Sequence, residues 1–337
     1  MTNLQEIQND GLSISMSALV ADAPLVQDIQ EHLAKSGFID LSGVTLGVLS
    51  TETETAIQKF KKIAGVNSTN ITGSFAKKLI DITKTKIIPP PPAAITINLT
   101  GSVGAGGRNN AVDVQAIKNR LADLGFKVSR DSVINSETTQ AIKLFQAIIN
   151  GKDTLDVDGN VDGRVDINGK THKALEKSTA PRWQEMPSGS IQAGFLNNDD
   201  LQGDNSDFGT SWMAETIQAA ALIYKEEFLK THPDSALIAI NDVSKISGGK
   251  HPSHATHQVG MCCDIRLPRK DGTSGRITFR ESEYEQPAMR AMLEAFRKQS
   301  RYKIRRILFN DQNLITAGLC QKAAGHDDHA HIDILAP

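Results

Sequence analysis

The first half of the chain is written twice. Ile29-Gln-Glu-His-Leu33-Ala-Lys-Ser-Gly37-Phe38 matches Ile117-Lys-Asn-Arg-Leu121-Ala-Asp-Leu-Gly125-Phe126, and Ala56-Ile57-Gln-Lys-Phe60 matches Ala141-Ile142-Lys-Leu-Phe145. Ile71-Thr-Gly73 with Lys77 and Leu79 then matches Ile167-Asn-Gly169 with Lys173 and Leu175. A duplication of this length restricts each copy to one small supersecondary unit. Ile29 with Leu33, and Ile57 with Phe60, recur at helical spacing and predict one buried stripe per helix. Gly37 and Gly125 follow the periodic stretch, where glycine ends a helix in the left-handed conformation. Each copy therefore reads as helix, loop, helix, loop and short helix, a small three-helix bundle.

The offset between copies grows from 85 residues at Ala56 and Ala141 to 96 at Ile71 and Ile167, an insertion of about eleven residues in the second copy. Within it, Asp158, Asn160, Asp162, Gly163 and Asp166 stand at positions 1, 3, 5, 6 and 9 of a calcium loop. Position 12 is Gly169, where such a loop needs a bidentate Glu. The segment thus has two readings, a Ca2+ site and a solvated acidic turn, and the missing Glu favours the turn.

Five segments result: repeat 1 over 20–84, a Pro/Gly-rich linker over 85–107, repeat 2 over 108–180, a polar linker over 181–209, and a C-terminal domain over 210–337. Pro89-Pro-Pro-Pro92 reads as a stiff polyproline spacer. In the C-terminal domain the pattern turns to α+β. Met213, Ile217, Ala220, Ala221, Tyr224 and Phe228 mark a helix, and Pro287 opens another. Residues 236–240, 263–267, 304–309 and 329–334 read as strands of an antiparallel sheet.

Composition excludes several functions. With 37 basic against 39 acidic residues the formal charge is −2, unlike the basic excess of nucleic-acid binders. No apolar run approaches the ~20 residues of a membrane span. The N-terminus lacks the charged and apolar regions of a signal peptide, so synthesis in the cytoplasm is expected. Three cysteines, two of them adjacent, make no disulfide framework. Cys262-Cys263 beside Asp264 invites a thiolate-ligand reading, but adjacent strand side chains point to opposite faces, and each is expected to be a small buried hydrophobe.

The chemistry concentrates near the C-terminus. Of nine histidines, six fall in or just before two short runs, His254-Ala-Thr-His257-Gln-Val-Gly-Met-Cys-Cys-Asp264 and Gly325-His326-Asp-Asp-His329-Ala-His331. As a strand, His329-Ala-His331-Ile-Asp333-Ile334 puts His329, His331 and Asp333 on one face. Asp264 alternates with Cys263 and Ile265, and Gly260 allows a tight turn after His257. Imidazole nitrogen and carboxylate oxygen are zinc donors, and a catalytic zinc site keeps one position for water. His257, Asp264 and His331 are the expected metal ligands, while His32, His172 and His232 are read as structural.

Two resemblances sharpen this reading. The repeats resemble peptidoglycan-binding type 1 domains, on Ala141-Ile-Lys-Leu-Phe145-Gln146 and Gly169-Lys-Thr171-His-Lys-Ala174-Leu175; the first copy departs, with Lys61 in place of the Gln. Residues 235–335 resemble LAS-type zinc metallopeptidases, the penicillin-insensitive murein endopeptidases in particular. The matching residues are Asn241-Asp242, Ser247-Gly-Gly249, Ser253-His254-Ala-Thr-His257-Gln-Val-Gly260, Asp264-Ile265, Arg306-Ile-Leu-Phe-Asn310-Asp311 and Gly325-His326-Asp-Asp-His329-Ala-His331. That resemblance implies zinc on His257, Asp264 and His331, with His329, His326 and His254 as catalytic histidines. It also implies an LAS-type domain behind the two bundles. The acidic residue and histidine that the murein enzymes carry between the clusters have no counterpart; that stretch offers only Glu281, Glu283 and Glu285.

Together the two resemblances imply a wall-targeted zinc hydrolase that cuts D-alanyl-diaminopimelate cross-links of peptidoglycan. It would be released as a phage lysin or injected as an antibacterial effector, with a delivery apparatus or an immunity protein as partner. The alternatives are a D,D- or L,D-carboxypeptidase acting on stem peptides, and a wall-anchoring protein without catalysis.

Overall fold

A computed structural model describes residues 2–84, 90–156, 158–198, 206–251 and 254–337. Pro89 of the polyproline spacer, residues 199–205 of the second expected linker and Ser253 lie outside the described residues. The chain is a mixed α and β protein.

The first unit contains α1 (Leu4–Asp10), β1 (Ser13–Ile14), α2 (Met16–Leu19), α3 (Ala23–Lys35), α4 (Thr51–Ile63), β2 (Ile71–Thr72) and α5 (Gly73–Thr83). Asn3 and Glu6 form a reciprocal capping box on α1, and Asp22, Ser50 and Thr72 cap α3, α4 and α5. Leu4 and Ile7 of α1 are buried in this unit's core, ahead of the boundary expected at residue 20. Phe38 meets Phe60 edge-on with centroids 5.3 Å apart, and Phe60 meets Phe75 in the same way.

The second copy runs from β3 (Val103–Gly104) through α6 (Ala111–Asp123), α7 (Ser136–Ile149) and β4 (Arg164–Val165) to α8 (Lys170–Glu176). Phe126 and Phe145 repeat the edge-on pair at 5.7 Å. Each copy pairs two short strands, β1 with β2 and β3 with β4. The partner of Ile71 in this arrangement is Val165 rather than Ile167. Val165 is buried in the ribbon, whereas Ile167 is 44% exposed. The insertion shifts the strand ahead of the helix, so sequence likeness around the glycine misplaces it by two residues.

The insertion itself is tied up within the chain. Asp158 pairs with Lys152 at 2.6 Å, Asp162 accepts from Gln146 and from the Arg164 amide, and Asp166 pairs with Arg164. Among the described residues, the groups able to hold an ion lie elsewhere.

The C-terminal part comprises β5 (Trp183–Glu185), β6 (Gly189–Ser190), β7 (Phe195–Asn197), β8 (Phe208–Thr210), α9 (Ser211–Tyr224), β9 (Ile238–Ile240), β10 (Cys262–Pro268), β11 (Ser274–Gly275), α10 (Gln286–Lys298), β12 (Ile304–Leu308), α11 (Gln312–Thr316) and β13 (His329–Ile334). The main sheet has the order β12-β13-β10-β9-β7-β6, with β11 added on β10. Its pairs are antiparallel except β7 with β9, which run parallel. This corrects the expectation of a wholly antiparallel sheet. The chain between β7 and β9 passes through α9, and such a crossover permits parallel pairing. The stretch 181–209, expected as a linker, supplies β5, β6 and β7 and the start of β8.

Core placement joins the second copy to this sheet. One buried apolar cluster includes Val114, Ile117, Leu121 and Phe145 of the second copy together with Met213 and Ile217 of α9, Ile265 of β10, Met292 of α10 and Ile332 of β13. The first unit keeps its own cluster, to which β7 contributes Leu196. Trp183 stacks on Phe126 at 6.1 Å and donates from Nε1 to the Ile246 carbonyl. A Cβ at Gly125 would stand 2.1 Å from the Trp183 carbonyl oxygen, so this glycine serves both its left-handed turn and the contact.

Candidate metal centre

Strand pairing brings the two sequence runs together. In the β10–β13 register Cys262 faces Asp333, Asp264 faces His331 and Arg266 faces His329. Alternation puts these six residues on one side of the sheet, while Cys263, Ile265, Ala330 and Ile332 enter the apolar core on the other. The sheet is buried on its apolar side, so a slip of one residue would expose that set, and the register is strongly fixed.

His257 reaches the same place from the loop between β9 and β10. Its backbone lies in the left-handed region at φ +60, unusual for a residue with a side chain, and it is almost wholly buried. Nδ1 donates to the Val243 carbonyl at 3.1 Å, which leaves Nε2 directed at the strands. His257 Nε2 lies 2.9 Å from His331 Nδ1 and 3.2 Å from Asp264 Oδ1, and His331 Nδ1 lies 2.9 Å from Asp264 Oδ1.

This triangle fits a cation. His257 Nδ1 faces a carbonyl and His331 Nε2 faces the Asp333 carboxylate at 3.1 Å, and neither partner can donate. Each outward nitrogen must therefore carry the proton. In the neutral rings two nitrogen lone pairs and a carboxylate oxygen then point at one spot about 3 Å across. Zinc–ligand bonds of about 2.0–2.2 Å place tetrahedral donors at such separations. Asp333 is itself held by Arg306 and Arg305, an outer support that fixes the His331 ring.

Electrostatics agree. Burial favours a neutral His331, but Cys262, Asp264 and Asp333 overcome it and push the ring up to about 12. Burial likewise opposes charge on His257, yet Cys262 and Asp264 hold it well above the ordinary imidazole value. Burial alone would raise the Asp264 carboxyl, and the neighbouring histidines instead hold it well below the usual carboxylate range. The cluster attracts positive charge; a metal would release the protons it replaces.

The remaining expected histidines surround this triangle. His254 Nε2 is 3.3 Å from Asp242 and its Nδ1 is 3.9 Å from Asp264 Oδ2. His329 donates from Nδ1 to Asp328 at 2.8 Å, which turns Nε2 toward Asp264 Oδ2 at 3.6 Å. His326 donates from Nδ1 to the Ala324 carbonyl, and its ring lies 4.8 Å from that of His329; burial lowers its pKa. Of the three histidines read as structural, His172 Nε2 donates to the Ile97 carbonyl, His32 Nδ1 donates to the Asp28 carbonyl one turn back, and His232 stacks on Phe228. Glu281, Glu283 and Glu285 are engaged elsewhere, with Thr278, Ser282 and Ser235 respectively.

Three neighbours escaped sequence reasoning as parts of the site. Asp242 supports His254, and His251 packs its ring against that of His254 at 4.8 Å; both come from the loop after β9, close enough in sequence to His254 to be noticed but carrying no donor spacing that assigns them a role. Cys262 is the third. Alternation assigns Cys263 to the core as expected, but the same alternation puts Cys262 on the face of Asp264. His257, Cys262 and His331 form one group whose ligand atoms lie within 4.8 Å of one another.

Residues 110–166, which span most of the second copy, match the family model described as "Putative peptidoglycan binding domain". No curated protein matches the chain. The match supports a peptidoglycan-binding module in the second copy and points to a cell-wall-associated function.

Proposed function

We propose that the protein is a zinc-dependent peptidoglycan hydrolase that cuts the peptide cross-links of the wall. The observation that carries this reading is the convergence of His257 Nε2, His331 Nδ1 and Asp264 Oδ1 within 2.9–3.2 Å of one another, beside a wall-binding module. The histidine and carboxylate spacing that resembles murein endopeptidases supports the bond type, a D-alanyl link to diaminopimelate. Bound zinc would supply Lewis-acid activation of water and of the scissile carbonyl.

The chain's own groups do the rest. His257, Asp264 and His331 would hold the ion, and Asp333 orients the His331 ring. His329, with Nδ1 committed to Asp328, presents Nε2 for proton transfer, a contribution of about 10²–10⁴-fold. His254 and His326 flank it as further acid–base and orienting groups. The wall-binding module raises the effective concentration of the catalyst at cross-links. The site of action is the wall, reached after lysis-linked release or specialised secretion.

Digestion of purified muropeptides followed by mass spectrometry tests the proposal. Cross-linked dimers are expected to disappear with matching gain of monomers, chelation to stop the reaction, and His331→Ala to lose at least about 10³-fold in rate. Loss of one terminal alanine alone would make the enzyme a carboxypeptidase. Unchanged muropeptides with zinc present would sink the hydrolase reading and leave wall anchoring.

A further inference from the structure

We propose that Cys262 is a fourth protein ligand of this centre, its thiolate binding the metal together with His257 and His331. The inference rests on the metal-centre reading above and adds a soft donor that the histidine and carboxylate pattern lacks.

Cys262 opens the polar face of β10, two residues before Asp264, and its register partner Asp333 is the residue that orients His331. It is only 3% exposed and forms no disulfide. A buried thiol serving as a small hydrophobe belongs on the apolar side, where Cys263 lies. Cys262 instead sits among two imidazoles and carboxylates, with its sulfur grouped within 4.8 Å of ligand nitrogens of His257 and His331. Donors around one zinc, at bonds of about 2.0–2.3 Å, fall within such a span. Thiolate is also the protein donor that most strongly selects zinc over the hard cations magnesium, calcium and manganese.

The consequence concerns access. Two imidazoles and a thiolate already make a three-donor set, and Asp264 Oδ1 lies beside both imidazoles; if the ion takes all four donors the zinc site is closed, whereas catalysis needs a place for water. Water must then enter as a fifth ligand or by release of the thiolate. Cys262 would act as a resting plug: it tightens the metal and restrains reactivity until substrate arrives.

Cobalt(II) added to the metal-free full-length chain tests this directly. Thiolate–cobalt charge transfer absorbs in the near ultraviolet, and nitrogen–oxygen coordination gives only the weaker visible bands. One equivalent of cobalt is expected to produce both features in the native chain. Cys262→Ser should lose the ultraviolet band and keep the visible one, with Cys263→Ser unchanged. Zinc competition should show Cys262→Ser weakened by more than about 100-fold, beyond the 10–100-fold typical of outer-shell changes. Visible bands without charge transfer in the native chain would overturn the thiolate ligand and leave the three-donor metal centre standing. Failure of the native chain to bind cobalt at all would overturn both. If Cys262→Ser does not fold, the native spectrum alone decides.

Discussion

The two copies of the duplicated unit pin their loops with one glutamine and one lysine each, in exchanged positions. In the first copy Gln30 of α3 donates to the Val48 carbonyl and to Thr53, and accepts from the Gly47 amide, while Lys61 of α4 donates to the Thr69 carbonyl. In the second copy Lys118 stands where Gln30 does and binds Asp131 and the Val133 carbonyl. Gln146 stands where Lys61 does and holds Asp162, the Arg164 carbonyl, Thr171 and the Gly163 amide. A buried loop anchor must satisfy backbone groups, and either an amide or an ammonium can do so. The copies differ more in what lies outside them. The first closes a core of its own, whereas the second opens onto the sheet that carries the metal face. The copy with Gln146 is also the one that the wall-binding family model matches.

That contrast predicts unequal coupling to the site. Phe145→Ala should cost about 3–5 kcal/mol and lower the melting of the metal-bearing part with it, while Phe60→Ala, equally buried, should leave zinc affinity at its native value. Calorimetry with parallel zinc titrations would show the split, and equal loss of zinc affinity in both variants would break the comparison.

Zinc comes next in size. At a thousandfold excess over its dissociation constant it should stabilise the unit containing the second copy by about 4 kcal/mol and leave the first unit's transition in place. The effect should grow with pH. In the metal-free protein the raised His331 value gives stability that is fully present below the ordinary 6.5 and fades as pH rises toward about 12. Asp264, held below its ordinary 3.8, gives stability above that value and loses it in stronger acid. Zinc must displace the imidazole protons, so its stabilisation should keep rising above pH 6.5 toward the raised His331 value of about 12. A flat profile would argue against histidine ligation.

The smallest effect separates the loop anchors. Gln146→Ala should cost about 1–3 kcal/mol by stranding buried partners, and Gln30→Ala a similar amount. Only the former should weaken sedimentation with purified peptidoglycan, because only its loop belongs to the matched module. Equal wall binding by both variants would assign that function to the pair of copies together.

Much of this was legible from the chain alone. Helical spacing at Ile29, Leu33, Ile57 and Phe60 and at their later counterparts predicts the helices that form. Strict alternation in His329-Ala-His331-Ile-Asp333 puts His331 and Asp333 on one face of β13. Residue type and spacing single out His257, Asp264 and His331 as candidate donors because strand alternation and donor chemistry are local properties, whereas their meeting depends on the pairing of β10 with β13. Other features were not legible. The parallel β7–β9 pair depends on a crossover, and Asp242 and Arg306 reach the cluster from loops and strands remote in sequence. Val165 replaces Ile167 in the ribbon because the insertion moves the strand relative to the helix.

The sequence by itself determined which residues form helices and strands, which side of each is polar, and which side chains could serve as metal donors, since all of these depend on neighbours within a few positions. Only the tertiary structure decided that the second copy shares a core with the sheet while the first does not, and that Cys262 stands beside the imidazoles of His257 and His331. Those outcomes depend on which apolar faces meet and in what register, and pairing energies between distant segments are set by complementarity in space rather than by order along the chain.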